Sequence, residues 1–260
     1  MSTLRALACG ATHHDMAALL TDRPHERRRF PAGVFLYETG TRRILFDTGY
    51  APAPWRAGPA AAAYRRLLPP VVGPTDTLDV RLRTIGVEPD SITHVVLSHL
   101  HPDHIGGLRY VAQAEVLMSA GTYGSLRAPR LREGVFRKLW PAGLVPRVVT
   151  TWEPGPPGFD VHDLLGDGSY LLLDLPGHTR GHTGALVEGR VLLAGDASWG
   201  NDLLGCEDRI RAVPRAITHD HAALTATARR LREVEATGVR VLLSHDPHPE
   251  GVDLLTEETA

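Results

Sequence analysis

Ser98-His99-Leu100-His101-Pro102-Asp103-His104 crowds three imidazoles and a carboxylate into the six positions from His99 to His104. Histidines on an exposed loop have no reason to cluster so densely, so the stretch reads as a set of metal ligands. Imidazole combined with carboxylate suits zinc, iron or manganese. The run before it, Ile92-Thr93-His94-Val95-Val96-Leu97, is β-branched and apolar and predicts a buried strand. His99 and His101 stand two apart on its extended end, so their side chains leave by the same face. Pro102 stops the strand. Asp103 and His104 are expected to open a helix ahead of a Gly106-Gly107 turn. The cluster thus points in two directions, enough to serve two neighbouring cations.

Further along, three more apolar runs stop at a side chain able to bind metal. Leu171-Leu172-Leu173-Asp174-Leu175 leads into Pro176-Gly177-His178-Thr179-Arg180-Gly181-His182. Arg190-Val191-Leu192-Leu193-Ala194 leads into Gly195-Asp196, and Val239-Arg240-Val241-Leu242-Leu243 into Ser244-His245-Asp246. Layered folds of sheets and helices gather their sites from strand ends in this way. Asp47 closes another such run, Ile44-Leu45-Phe46, ahead of Thr48-Gly49. It is placed to hydrogen-bond the outer nitrogen of a ligand histidine, although aspartate is also ordinary turn chemistry.

Two hairpins echo each other. Val34-Phe35-Leu36-Tyr37-Glu38 returns as Arg43-Ile44-Leu45-Phe46-Asp47, and Ala185-Leu186-Val187-Glu188 returns as Val191-Leu192-Leu193-Ala194-Gly195-Asp196. Both return strands deliver an aspartate at the same end. The expectation is an α+β chain forming one domain over residues 1–260, an αββα sandwich. Each half contributes one mixed β-sheet, and helices lie outside. The last long helix should run from an Asp220 N-cap through Leu224, Ala228, Leu231 and Val234 to Gly238, with its apolar positions three and four apart. His219-Asp220-His221 imitates a metal motif but follows no strand, and is expected to be a decoy.

The order H-x-H-x-D-H, P-G-H-T-x-G-H, G-D and S-H-D, from Asp47 to His245, resembles the metallo-β-lactamase superfamily of binuclear hydrolases. That resemblance implies that His99, His101 and His178 hold a first metal, that Asp103, His104 and His245 hold a second, and that Asp196 bridges them. His182 matches no ligand of the family and is expected behind the ligands, as a support. Chemistry agrees: two cations about 3.5–4 Å apart share a water and acidify it to hydroxide near neutral pH. A carboxylate can span both ions, and a neutral imidazole cannot. The implied cofactors are two divalent ions, zinc foremost, with iron, manganese or cobalt accepted by the same ligands.

Within the superfamily a bridging Asp196 disfavours the true β-lactamases. Ala197-Ser198-Trp199-Gly200 departs from the glyoxalase pattern, and His101 stands where the flavodiiron branch has glutamate. The N-acyl homoserine lactonase branch is the most similar, its D-A-S-Y standing against Asp196-Ala197-Ser198-Trp199. In those lactonases the tyrosine hydroxyl helps polarise the substrate carbonyl, whereas Trp199 brings a larger ring and only an N–H donor. The implied reaction is hydrolysis of a lactone or related ester, N-acyl homoserine lactones being one class. The metal-bridging hydroxide attacks, and Asp103 returns a proton to the leaving oxygen. A thioester or phosphodiester hydrolase on the same metals is the alternative, and a non-catalytic binding relative the third reading.

Composition is that of a globular enzyme: 260 residues, 43% hydrophobic and 22% charged. A net charge of −2 argues against a nucleic-acid surface, and no apolar run is long enough for a membrane span. The first ten residues are too short in apolar character for a secretory segment, with Arg5 inside them. Cys9 and Cys206 are too few for a disulfide framework and read as reduced thiols of a cytoplasmic protein. The expected partner is a small ester or lactone, and a homodimer is compatible. Residues 51–70, rich in proline and alanine, read as an insert whose Trp55 and Tyr64 line a substrate pocket with Trp199 or pack on the body. Residues 123–140 carry Arg127, Arg130, Arg132, Arg137 and Lys138 and read as a basic helix facing an anionic substrate or solvent.

Overall fold

Side chains along successive strands alternate between two cores, and that alternation builds the sandwich. The computed structural model describes residues 2–256 apart from 53–56, 131–132 and 157. Strands β1 (Thr3–Asp15), β2 (Arg27–Thr39), β3 (Arg42–Phe46), β4 (His94–Val96), β5 (Glu115–Ser119) and β6 (Arg147–Val149) form the first sheet in that order. The second runs β12-β11-β10-β9-β8-β7, from β7 (Glu153–Gly155), β8 (Phe159–Asp163), β9 (Tyr170–Asp174), β10 (Thr183–Val187), β11 (Val191–Leu193) and β12 (Arg240–Leu242). Each half of the chain therefore makes its own sheet. Both are mixed: β1 to β3 pair antiparallel and β3 to β6 parallel. In the second sheet only the β11–β12 pair is parallel.

Leu4, Ala6, Phe35, Tyr37, Ile44 and Phe46 meet Tyr170, Leu172, Ala185, Val187 and Leu193 in a core between the sheets. The intervening residues face outward to helices. Of α1 (Met16–Leu19), α2 (Pro59–Leu67), α3 (Leu78–Thr84), α4 (Pro102–Ile105) and α5 (Ala120–Arg127), α3 and α5 bring Leu78, Leu82 and Leu126 against Leu36, Leu45 and Val95. After α6 (Ala212–Ile217), α7 (His221–Glu235) lays Ala228, Leu231 and Val234 on Leu173, Leu192 and Val241. The Asp220 carboxylate caps α7, accepting from the Ala223 N–H at 3.0 Å, so the expected helix is present. Among the described residues no helix is long and apolar enough to cross a membrane.

Several local expectations are corrected. The strand ahead of the histidine cluster is only His94–Val96. Gly106-Gly107 is no turn: it starts a 3-10 helix, Gly106–Tyr110, that continues α4. The Gly106 N–H donates to the Gly49 carbonyl at 2.8 Å, and a Cβ on Gly106 would lie 2.0 Å from the Ala51 nitrogen. Glycine is present there for close backbone approach. The basic segment is not one helix. It leaves α5 at Arg127, because Ala128 precedes Pro129 and is disfavoured in helical conformation, and further along it has a 3-10 turn at Arg137–Leu139. The insert at residues 51–70 contains α2. Trp55 and Arg132 lie outside the described residues.

Candidate metal centre

The segments leaving β3, β4, β9, β11 and β12 converge. His99, His101, His178 and Asp196 each turn a donor atom into one space, Asp103, His104 and His245 into another, with the donors of each group within 4.8 Å of one another. Asp196 touches both. Its Oδ2 lies 3.4 Å from His178 Nε2, 3.7 Å from His99 Nε2 and 3.2 Å from His245 Nε2. Its Oδ1 lies 3.3 Å from His104 Nε2. Asp103 Oδ2 stands 3.7 Å from His245 Nε2 and 3.8 Å from His104 Nε2.

The outer nitrogens decide what faces inward. His104 Nδ1 donates to Asp47 Oδ2 at 2.7 Å, and His245 Nδ1 donates to the Pro31 carbonyl at 2.8 Å. His101 Nε2 donates to the Glu133 carbonyl at 3.0 Å. Ser98 binds Asp47 twice, through N–H to Oδ1 at 2.8 Å and Oγ to Oδ2 at 2.7 Å, and its Oγ then accepts from His99 Nδ1 at 2.9 Å. Asp47 thus orients His104 directly and His99 through Ser98. It does so from a left-handed backbone, φ 63°, that aspartate tolerates at a cost.

Those tautomers leave two bare lone pairs opposed, His99 Nε2 lying 2.9 Å from His101 Nδ1, and His178 Nε2 comes within 3.2 Å of the same His101 nitrogen. Asp103 Oδ1, Asp196 Oδ1 and His104 Nε2 are buried without a hydrogen-bond partner among the described residues. Buried unpaired polar atoms cost roughly 1–3 kcal/mol each. A divalent cation between them removes both penalties, so the donors fit such an ion.

The two groups differ in charge. Burial pushes the His99, His178 and His101 imidazoles below their ordinary range, so they are neutral and ready to ligate. Burial also opposes charge on His104, but Asp196, Asp47 and Asp103 outweigh it and hold that imidazole well above the usual value. His245 behaves alike: against burial, Asp196 and Asp103 raise it to about 9. Burial would raise Asp196, yet His245 and His104 keep it ionised, well below the carboxylate range.

His182 joins neither group. It is buried, its Nδ1 donates to the Leu175 carbonyl at 3.1 Å, and its Nε2 accepts the Asp196 N–H at 3.1 Å. Burial lowers its pKa to about 4, so it stays neutral and fixes the backbone that carries Asp196. Gly195 adopts φ 55°, and a Cβ there would sit 2.7 Å from His182 Nε2. His182→Leu fills the space but strands two buried backbone groups. It should cost about 2–4 kcal/mol, read by denaturant unfolding of the metal-free protein. In the His219-Asp220-His221 stretch, side chains join neither donor group, but the His219 and Asp220 N–H groups pin the His178 loop, donating to His178 O at 3.0 Å and Gly177 O at 2.9 Å.

Trp199 lines a narrow cleft with His178, Asp196, Leu20, Ile210 and Leu224. It packs against Met16, Leu20, Phe30 and Leu203. Tyr64 is not part of that cleft; half-buried, it packs edge-on against Phe136 at 5.3 Å. Sequence patterning does not single out His14, which lies 5.5 Å from Phe30, itself edge-on to His245 at 6.1 Å. Burial lowers the His14 pKa, with His245 the next influence. Ser98, Pro31 and Glu133 likewise carry no motif of their own. Only the position of Ser98 between a strand and His99 hinted at its place.

Residues 27–240 match the model of the metallo-β-lactamase superfamily. The chain is 31% identical over 225 residues to a probable metallo-hydrolase of Mycobacterium tuberculosis, covering 82% of this chain and 71% of that protein. To N-acyl homoserine lactonase AiiB of Agrobacterium fabrum it is 26% identical over 228 residues, covering 83% and 79%. The fold superposes on B. thuringiensis AiiA, in a variant with N-decanoyl-L-homoserine bound at its active site, at a TM-score of 0.72 and 22% identity, over 94% of this chain and 93% of that one. With this match and this donor set, the chain belongs to the metallo-β-lactamase superfamily and is a metal-dependent hydrolase.

Proposed function

We propose that the protein opens a lactone or related carboxylic ester on a pair of divalent cations, with N-acyl homoserine lactones as one substrate class. The observation that carries this reading is Asp196, one carboxylate reaching two donor groups at once. His99, His101 and His178 would hold one ion, and Asp103, His104 and His245 the other. Zinc suits nitrogen and oxygen donors of this kind; iron, manganese and cobalt are also compatible. Relatives bearing the lactonase name at 26% and 29% identity support the substrate class.

Bound there, such ions acidify water toward neutrality and polarise a carbonyl. The protein's own groups do the rest. Asp47, Ser98, the Pro31 carbonyl and His182 keep the donors from turning when substrate enters. Leu20, Ile210 and Leu224 beside His178 and Asp196 give an uncharged substituent a dry wall to lie against. Asp103 has one oxygen without a hydrogen-bond partner among the described residues, and this carboxylate would take the proton that the attacking water gives up and return it to the leaving oxygen. Asp103→Asn should retain part of the metal yet lose most turnover, since an amide cannot relay a proton. Full activity in that variant would remove Asp103 from the role.

The test of substrate class is a panel run on protein of measured metal content: an N-acyl homoserine lactone, an acyl thioester and bis-nitrophenyl phosphate. Lactone turnover should exceed the others by at least about tenfold in kcat/KM, near 1.4 kcal/mol of transition-state discrimination. Preference for the thioester or the phosphodiester would overturn the reading.

A further inference from the structure

Attack on an ester carbonyl gathers negative charge on its oxygen, and a fixed donor aimed at that oxygen in a dry site is among the strongest aids to the reaction. Helix α2 carries a tyrosine hydroxyl close enough to the donor cluster to feel the charges of Asp103 and Asp196. Pro59 starts α2, and Tyr64 sits one turn beyond buried Ala61 on the same face. The Tyr64 ring is fixed edge-on by Phe136 at 5.3 Å. It borders the donor cluster: a Cβ placed on Gly134 would lie 2.9 Å from the His101 ring and 3.9 Å from the Tyr64 ring.

Behind it runs a row of hydroxyls. Tyr64 is hydrogen-bonded to Tyr50, which is 1% exposed and hydrogen-bonded in turn to buried Thr12. Each hydroxyl in such a row can donate to the next, which polarises the last and fixes where its proton points. Burial first, then the charges of Asp103 and Asp196, raise the Tyr64 phenol well above its usual range. An ordinary phenol is already protonated at neutral pH, so the hydroxyl has a proton to donate.

We propose that Tyr64, oriented by Tyr50, donates a hydrogen bond to the substrate oxygen on which negative charge develops. The inference rests on reading the site as a carbonyl hydrolase. The proton stays on Tyr64 throughout, so the residue stabilises charge and transfers nothing. It supplies from α2 the hydroxyl that position 199, an indole, lacks.

Tyr64→Phe keeps the ring and its contact with Phe136, so metal content and unfolding midpoint should match the parent. Removing one such donor lowers kcat on the order of a hundredfold, with KM changed less than about threefold. A methylphosphonate ester, a charged tetrahedral mimic of the attacked carbonyl, should lose affinity by a similar factor, while the ring-opened product should not. Unchanged kcat and phosphonate affinity in Tyr64→Phe would overturn the proposal. So would Trp199→Phe showing both losses in its place. If the parent protein hydrolyses no ester or lactone yet Tyr64→Phe still weakens the phosphonate, the substrate reading fails and the donor stands. If the parent cleaves lactones and Tyr64→Phe is indifferent in both measurements, Tyr64 alone is refuted.

Discussion

Asp196→Ala should abolish turnover and leave the purified protein with far less than its parent's metal. One carboxylate stands within 3.7 Å of His99, His178 and His245, and within 3.3 Å of His104. Among the described residues it is the carboxylate whose two oxygens reach donor atoms of both groups. Its loss removes the first of the charges that outweigh burial at His245 and at His104. The variant is then left with buried imidazoles whose remaining counter-charges are Asp103, and for His104 also Asp47. Breaking a buried ion pair from one side costs about 3–5 kcal/mol, so the metal-free variant should also unfold at clearly lower denaturant. Metal analysis, a lactone assay and an unfolding curve check the three effects. An Asp196→Ala protein with full metal and full turnover would mean that the two groups act independently.

Much of this centre was legible in the sequence because strands announce where they stop. His178, Asp196 and His245 each follow an apolar run, and those runs became β9, β11 and β12. The two hairpins were readable for the same reason: a two-residue period survives in Phe35, Tyr37, Ile44 and Phe46 on one face, with Leu36 and Leu45 on the other. What stayed hidden is contact through space. The Pro31 and Glu133 carbonyls hold His245 and His101, yet a backbone oxygen has no residue signature. Strand β1 ends in Thr12-His13-His14-Asp15, far from any motif in the chain, and only its pairing with β2 brings His14 beside Phe30 and the His245 side of the site. The basic stretch misled for a different reason. Charge spacing resembles a helix face, but Pro129 interrupts the chain where periodicity alone sees continuity.

Protons and cations should compete for the second donor group and not for the first. In the metal-free protein His245 holds its proton up to about 9, because Asp196 and Asp103 overcome its burial, and His104 is also raised. The unfolded chain titrates these histidines near their ordinary value, about 6.5. A folded value above the unfolded one stabilises the protein fully below that point, and the contribution fades as pH rises through about 9. Chelated protein should therefore be more stable near pH 6 than near pH 10. A cation works in the opposite sense, since it takes only deprotonated imidazole. Its affinity for Asp103, His104 and His245 should climb about tenfold per pH unit for each proton displaced. His99, His101 and His178 are already neutral, so binding there should change little above pH 7. Competitive metal titration at several pH values should resolve one steep and one flat site, with activity following the steep one. Two flat sites would show that Asp103, His104 and His245 do not act as a metal site, because no cation can bind there without displacing the His245 proton.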